Sequence, residues 1–264
     1  MNKVTRESAP AASAPVARSF SLADIADALA QGWGSFRAMP APSMAYALVF
    51  VLIGLVLLAA VGWFGLSPMA LPFAGGFMLV GPALLTGFFR LETIRASGRR
   101  PRLLDAFGAF ARTPGGLWLV TLLCTFLFLI WITDTAILYA MMIGSEALPY
   151  ELPWLIGMRE HVIAFELWGS LMGSILAFII LSVSAFSVPL LHEGRASLVG
   201  AVNASVRAVF GNIGSSIAWG VMLSAVTLVS IVLLPLLAVT LPVLAYASFA
   251  LYRKVFPLEE GGPG

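Results

Sequence analysis

Charge is scarce in this sequence. Only 11% of its 264 residues are Asp, Glu, Lys or Arg, while 60% are apolar; an ordinary soluble domain carries roughly 25% charged residues. That balance excludes a soluble globule. Cysteine is nearly absent: Cys124 stands alone within an apolar run, so an internal disulfide and a thiolate metal cluster are both excluded. Histidine is almost as rare, with His161 and His192 at the edges of apolar runs and none inside one. A haem iron that needs axial histidines within the membrane therefore finds none. Walker-type loops, a Gly-x-Ser-x-Gly elbow and a His-Glu-x-x-His helix are also missing. No catalytic constellation is expected, and no cofactor on this chain.

What the sequence has in quantity is long apolar runs. Crossing about 30 Å of hydrocarbon takes some 20 apolar residues in a helix, and such runs lie near Met44 to Phe64, Met69 to Phe89, Gly116 to Ile143, Val162 to Leu191 and Ser216 to Tyr252. The last is about 55 Å long at 1.5 Å per residue. Pro235 sits near its midpoint, where a proline removes a helix hydrogen bond. Dividing it there predicts an all-α membrane protein of six transmembrane helices. Residues 20–256 form this membrane domain, flanked by disordered cytoplasmic tails at 1–19 and 257–264. No segment before Ser21 is apolar enough for a signal peptide.

Basic residues report orientation, because they are retained on the cytoplasmic side. With six spans, 14 of the 15 Lys and Arg fall on one side and only Arg159 on the other. Both termini are expected in the cytoplasm of a bacterial inner membrane. The spread of these charges over loops suits anionic lipid, and no nucleic-acid partner is expected.

Amphipathic stretches precede the odd-numbered spans: Leu22, Ile25, Leu29, Trp33 and Phe36; Leu103, Leu104, Phe107 and Phe110; and Leu198, Val199, Val202, Val206 and Val209. Their helical spacing predicts three similar units, each a cytoplasmic amphipathic helix followed by a helical hairpin. These helices either lie among the lipid headgroups or cap the bundle. Bound lipid is expected in both cases.

Few polar residues interrupt the runs. Asp134 is the one acid well inside a span, and an intramembrane carboxylate is a functional candidate by default; a protonated, hydrogen-bonded structural acid is the other reading. Glu160, His161 and Glu166 could in principle hold a metal ion, although their spacing is not diagnostic and no metal is expected. Trp63 and Trp168 lie near the outer boundary and Trp33, Trp118 and Trp219 near the inner one, as in aromatic belts. Gly169, Gly173 and Ala177 recur every four residues, as do Ser216, Gly220 and Ser224. Such small faces allow close helix approach, within the bundle or to a membrane-protein partner.

The run Gly75-Gly76-Phe77-Met78-Leu79-Val80-Gly81-Pro82, followed by Gly98 and Asp105-Ala106, resembles the bacterial membrane family catalogued as domain of unknown function 2189 (DUF2189). Gly32-Trp33, Ser43-Met44-Ala45-Tyr46 and Ser205-Val206-Arg207-Ala208-Val209 extend the resemblance from about Gly32 to Lys254. Relatives are often labelled cytochrome c oxidase subunit I-like, which implies an electron-transfer setting. The family's last span typically ends Gly-His-Ala-Ser/Thr-Trp-His-x-Tyr-Arg. Ala247, Ser248, Tyr252 and Arg253 match that pattern, whereas Tyr246, Phe249 and Ala250 replace His, Trp and His.

These readings predict a non-catalytic accessory, scaffolding or assembly subunit of a larger respiratory or photosynthetic membrane complex. The alternative is a carrier or channel for a small solute, lipid or proton, using Asp134.

Overall fold

A computed structural model describes residues 16–64, 82–144 and 160–258. Regular structure among them is entirely helical. Five segments are long and apolar enough to cross a membrane: Pro40–Leu57, Gly115–Met142, Val162–His192, Ile213–Val232 and Leu234–Val255. The expected span from Met69 to Phe89 lies mostly outside the described residues, and only its end is visible, at the start of a helix over Pro82–Ala96.

The chain opens with α1 (Leu22–Ala38), started by a capping box in which Ser21 and Asp24 satisfy each other's backbone N–H groups. Pro40 then begins α2 (Pro40–Trp63), at a position where its missing N–H is harmless. Next come α3 (Pro82–Ala96) and the short α4 (Leu103–Ala111). Pro114 precedes the long α5 (Gly115–Met142).

The fourth apolar run is not one straight helix. It forms α6 (Glu160–Ser184) and α7 (Ser187–His192), with a break at Ala185-Phe186. Pro189 accounts for the break, since it cannot donate to the carbonyl four residues earlier and its ring crowds that carbonyl. Ser205, from α8 (Leu198–Gly211), bridges the gap: its hydroxyl donates to Ser182 O (2.8 Å) and accepts from Phe186 N (3.2 Å).

Pro235 divides the final run as expected. α9 (Ile213–Val232) is followed by a 3₁₀ turn at Leu234–Leu236 and then α10 (Leu237–Val255). Thr240 Oγ1 donates to Ser230 Oγ at 2.8 Å across this turn.

α10 is the hub: α1, α2, α3 and α9 all pack against it. Its end and the start of α9 meet at one end of the molecule, tied by the chain's entry segment. Arg18 N donates to Val255 O (2.9 Å), Phe20 N donates to Asn212 Oδ1 (3.1 Å), and Ser215 Oγ donates to Phe20 O (2.9 Å). Lys254 Nζ adds bonds to Asp24 Oδ1 (3.1 Å) and Asp27 Oδ2 (2.9 Å) on α1.

The amphipathic stretches form helices, and each buries small residues together with part of its apolar stripe, leaving other large apolar residues of the stripe exposed. α1 buries Ile25, Ala28, Gly32, Ser35 and Phe36, while Leu22 and Trp33 are exposed. α4 buries Ala106 and Ala109, leaving Leu104 78% exposed and Phe107 exposed. α8 buries Ala201, Ala204, Ser205, Ala208 and Val209 and leaves Val199 77% exposed. Close backbone approach explains the preference for small residues. A Cβ built on Gly32 would lie 2.6 Å from Val243 O and 2.7 Å from Ala247 N of α10.

Aromatic rings fill the space between α2, α3, α4 and α10. Tyr46 meets Phe88 and Phe107 edge-on at centroid distances of 4.9 and 5.3 Å, and Phe88 meets Tyr246 at 5.9 Å. Ser43 Oγ donates to Met39 O (2.7 Å), so the 2.6 Å contact with Tyr246 is one in which the tyrosine donates.

Candidate arginine-lined cavity

Three charged segments converge where α3, α4 and α7 end near the last described residues of the chain. α3 brings Arg90 and Thr93, the end of α4 brings Arg112, and the turn after α7 brings Glu193 and Arg195. With His192 these side chains line a cavity of about 400 Å³. Ala109 and Leu258 supply apolar wall.

The turn that places Glu193 and Arg195 is locally determined. Gly194 adopts φ +66°, in the left-handed region where glycine is favoured, and Arg195 N bonds back to Leu190 O at 3.0 Å. This closes α7 and turns both charged side chains toward α10.

A network then holds them. Arg195 Nη1 donates to Tyr252 Oη (2.9 Å) and to Phe256 O (2.7 Å), and its Nη2 donates to Pro257 O (2.7 Å). Tyr252 Oη donates onward to Glu193 Oε2 at 2.7 Å. Arg253 pairs with the other oxygen, Glu193 Oε1. Both oxygens of Glu193 are thus engaged, and its side chain is only 12% exposed. Arg253 also lies over the Phe249 ring, 5.2 Å from its centroid, a cation–π arrangement. Its Nε is buried with no hydrogen-bond partner.

Phe249 stacks on Phe89 at 4.9 Å, and His192 meets both rings edge-on. Two of the three residues that depart from the terminal pattern implied by the resemblance are thus packed, Phe249 within this aromatic group and Tyr246 beside Ser43 and Phe88.

The other candidates from the sequence lie elsewhere. Asp134 is half-buried on α5 between buried Trp131 and Thr135, and among the described residues it makes no ion pair. It is about 29 Å along the helix from Gly115, far from the arginines. Glu166 is half-buried on α6; the side chains of Glu160 and His161 lie outside the described residues. Among the described residues no three His, Cys, Asp or Glu side chains gather as a metal site requires.

The small-residue rows serve several ends. Gly173 receives the Trp131 indole, 3.0 Å from the position of a Cβ, and Gly220 receives Leu181 at the same distance. Ser216 is buried and donates to Val209 O at 3.1 Å. Ala177 is half-buried, Ser224 is exposed, and Gly169 is buried although a Cβ there would meet no atom within 4 Å. Among the belt tryptophans, Trp33, Trp63, Trp118 and Trp168 are exposed, whereas Trp219 is buried in the main core.

In the sequence Arg90, Arg112 and Arg195 are orientation signals, and Glu193 stands out in no motif. A signal was present: Glu193 and Arg195 flank a glycine directly after a proline-broken apolar run. Ser205 figures in the sequence as the start of the Ser205-Val206-Arg207-Ala208-Val209 run of the family resemblance, which carries no sign of its bridging role.

No curated protein and no solved structure matches the chain. A family model does, over residues 69–193, a shorter stretch than the resemblance from about Gly32 to Lys254. That model describes DUF2189, a family of predicted integral membrane proteins, and the stretch similar to it includes Arg90, Thr93, Ala109, Arg112, His192 and Glu193 of the cavity.

Proposed function

We propose that this is a non-catalytic protein of the bacterial inner membrane that serves as an accessory, scaffolding or assembly subunit of a larger respiratory or photosynthetic membrane complex. The observation that carries the reading is the division of labour among its side chains. Polar groups at the basic end tie its own helices together, as in the Arg195, Tyr252, Glu193 and Arg253 network. The spans, by contrast, present wide apolar faces: Leu119, Leu122 and Phe126 on α5, and Leu167, Leu171 and Ile175 on α6, are all exposed. Such faces suit lipid and the helices of a membrane partner.

In this reading the chain has six spans, the second near Met69 to Phe89, and both termini are cytoplasmic. The small faces of α1, α4 and α8 cap the bundle from that side, and their large apolar side chains reach the headgroup region. Alkaline phosphatase fusions should be active after Trp63 and Met142 and inactive after Ala96 and Val255; the reverse pattern defeats the topology. Purification of a tagged chain in mild detergent should recover stoichiometric membrane partners. A monodisperse lone protein would count against the accessory role.

A further inference from the structure

Three arginines, Arg90, Arg112 and Arg195, line the cavity with a single acid, Glu193. That carboxylate is already engaged by Tyr252 and Arg253. Among the described residues, Arg90 and Arg112 form no ion pair. An arginine cannot relieve crowding by losing its proton, so arginines that line one cavity repel one another unless an anion joins them.

Guanidinium forks match the oxygens of phosphate, to which they donate paired hydrogen bonds. Arg90 and Arg112 have those donors to give, while Arg195 is fixed by its bonds to Tyr252, Phe256 and Pro257 and contributes its field. The volume, about 400 Å³, falls within the roughly 300–1,000 Å³ of small-molecule sites. Apolar wall from Ala109 and Leu258 accommodates the carbon part of a ligand.

We infer that this cavity binds a phosphate group through Arg90 and Arg112, supplied by the headgroup of an anionic phospholipid or by free phosphate. The inference stands apart from the accessory role and holds for either orientation in the membrane.

The test uses the full chain purified in a neutral detergent. Phosphatidylglycerol and phosphatidic acid are titrated by native mass spectrometry with phosphatidylcholine as the control, and inorganic phosphate is titrated by calorimetry. The expected result is saturable binding of an anionic lipid, of phosphate or of both, at least tenfold tighter than any binding of phosphatidylcholine. Lipid binding without phosphate binding identifies a headgroup site; phosphate binding that competes with lipid identifies a site open to both.

The R90Q/R112Q variant should lose at least tenfold in affinity, while R99Q/R100Q, which removes two charges that do not line the cavity, should match the wild type. Equal binding by R90Q/R112Q, or no preference over phosphatidylcholine in the wild type, overturns the inference. Should that variant not fold, phenylglyoxal modification of the wild type decides the matter. Ligand must protect Arg90 and Arg112 but not Arg99 and Arg100, and absence of that protection overturns the inference equally.

Discussion

Gly32 of α1 and Val243 of α10 are in such close backbone contact that a Cβ on the glycine would come within 2.6 Å of the valine carbonyl oxygen. The first of the described helices is thereby seated on the last of them. Because the obstacle is backbone, no side-chain rotation can relieve it.

Gly32→Ala should therefore loosen α1 from α10, at a cost of about 1–3 kcal/mol for overpacking. Gly34→Ala, where a Cβ would meet nothing within 4 Å, should be neutral or slightly stabilising through helix propensity. Thermal unfolding of the two variants in detergent compares them directly. Equal stabilities would show that the helices do not approach as closely as described.

Ser205→Ala should strip the break between α6 and α7 of its bridge, leaving Phe186 N–H and Ser182 C=O without the hydroxyl they share. Leaving a buried polar group unpaired costs about 1–3 kcal/mol. Hydrogen exchange at Phe186 should accelerate. Unchanged protection there would mean that another group satisfies the break.

Glu193→Gln should weaken the basic end by removing the charge that Arg253 pairs with and that Tyr252 donates to. Loss of one partner from a largely buried charged network costs on the order of 2–4 kcal/mol. Tyr252→Phe removes the hydroxyl link between Arg195 and Glu193 and should cost less, because the ion pair with Arg253 remains. The order of the two melting temperatures checks the prediction, with Tyr252→Phe expected to be the higher.

Acid should release α1. Hydrogen bonds from the Ser21 backbone and side chain, then the bond from Lys254, hold the Asp24 carboxyl below the ordinary aspartate range. A depressed value in the folded state contributes stability above the unfolded value of about 3.9, and that contribution is lost as pH falls through the folded value. Proteolysis or hydrogen exchange in α1 should increase as the pH drops below 4. Asp24→Asn should flatten the response, and an equally steep response in that variant would place the acid-sensitive group elsewhere.

Several features were legible from local sequence alone. The apolar runs announce spans because length and hydropathy are properties of a contiguous stretch. Pro235 announces the division of the last run because proline acts on its own helix. The family resemblance was legible too, since Gly75-Gly76 through Pro82 and Asp105-Ala106 lie inside the segment that matches. By the same logic Pro189 could have announced the break in the fourth run.

The amphipathic helices show where such reading stops. Spacing identified α1, α4 and α8 as helices, yet it left open whether their large apolar residues face lipid or the bundle. In water such a stripe would be buried. In a membrane, large apolar side chains lose little by facing lipid, and close packing selects Gly, Ala and Ser for the contact. Ala28 and Gly32 on α1, and Ala201, Ala204 and Ala208 on α8, are buried beside Ile25, Phe36 and Val209 of the apolar stripes, while Trp33 and Val199 stay exposed.

The sequence by itself determined a helical membrane protein, the positions of five helical stretches long and apolar enough to cross a membrane and the proline that separates the last two, because each depends on neighbours along the chain. Only the tertiary structure decided which helix faces touch, how Ser205 repairs a distant helix, and that Arg90, Arg112 and Arg195 share one cavity with Glu193. Those facts depend on residues far apart in the chain being brought within a few ångströms, and the periodicity of one helix does not encode where another will lie.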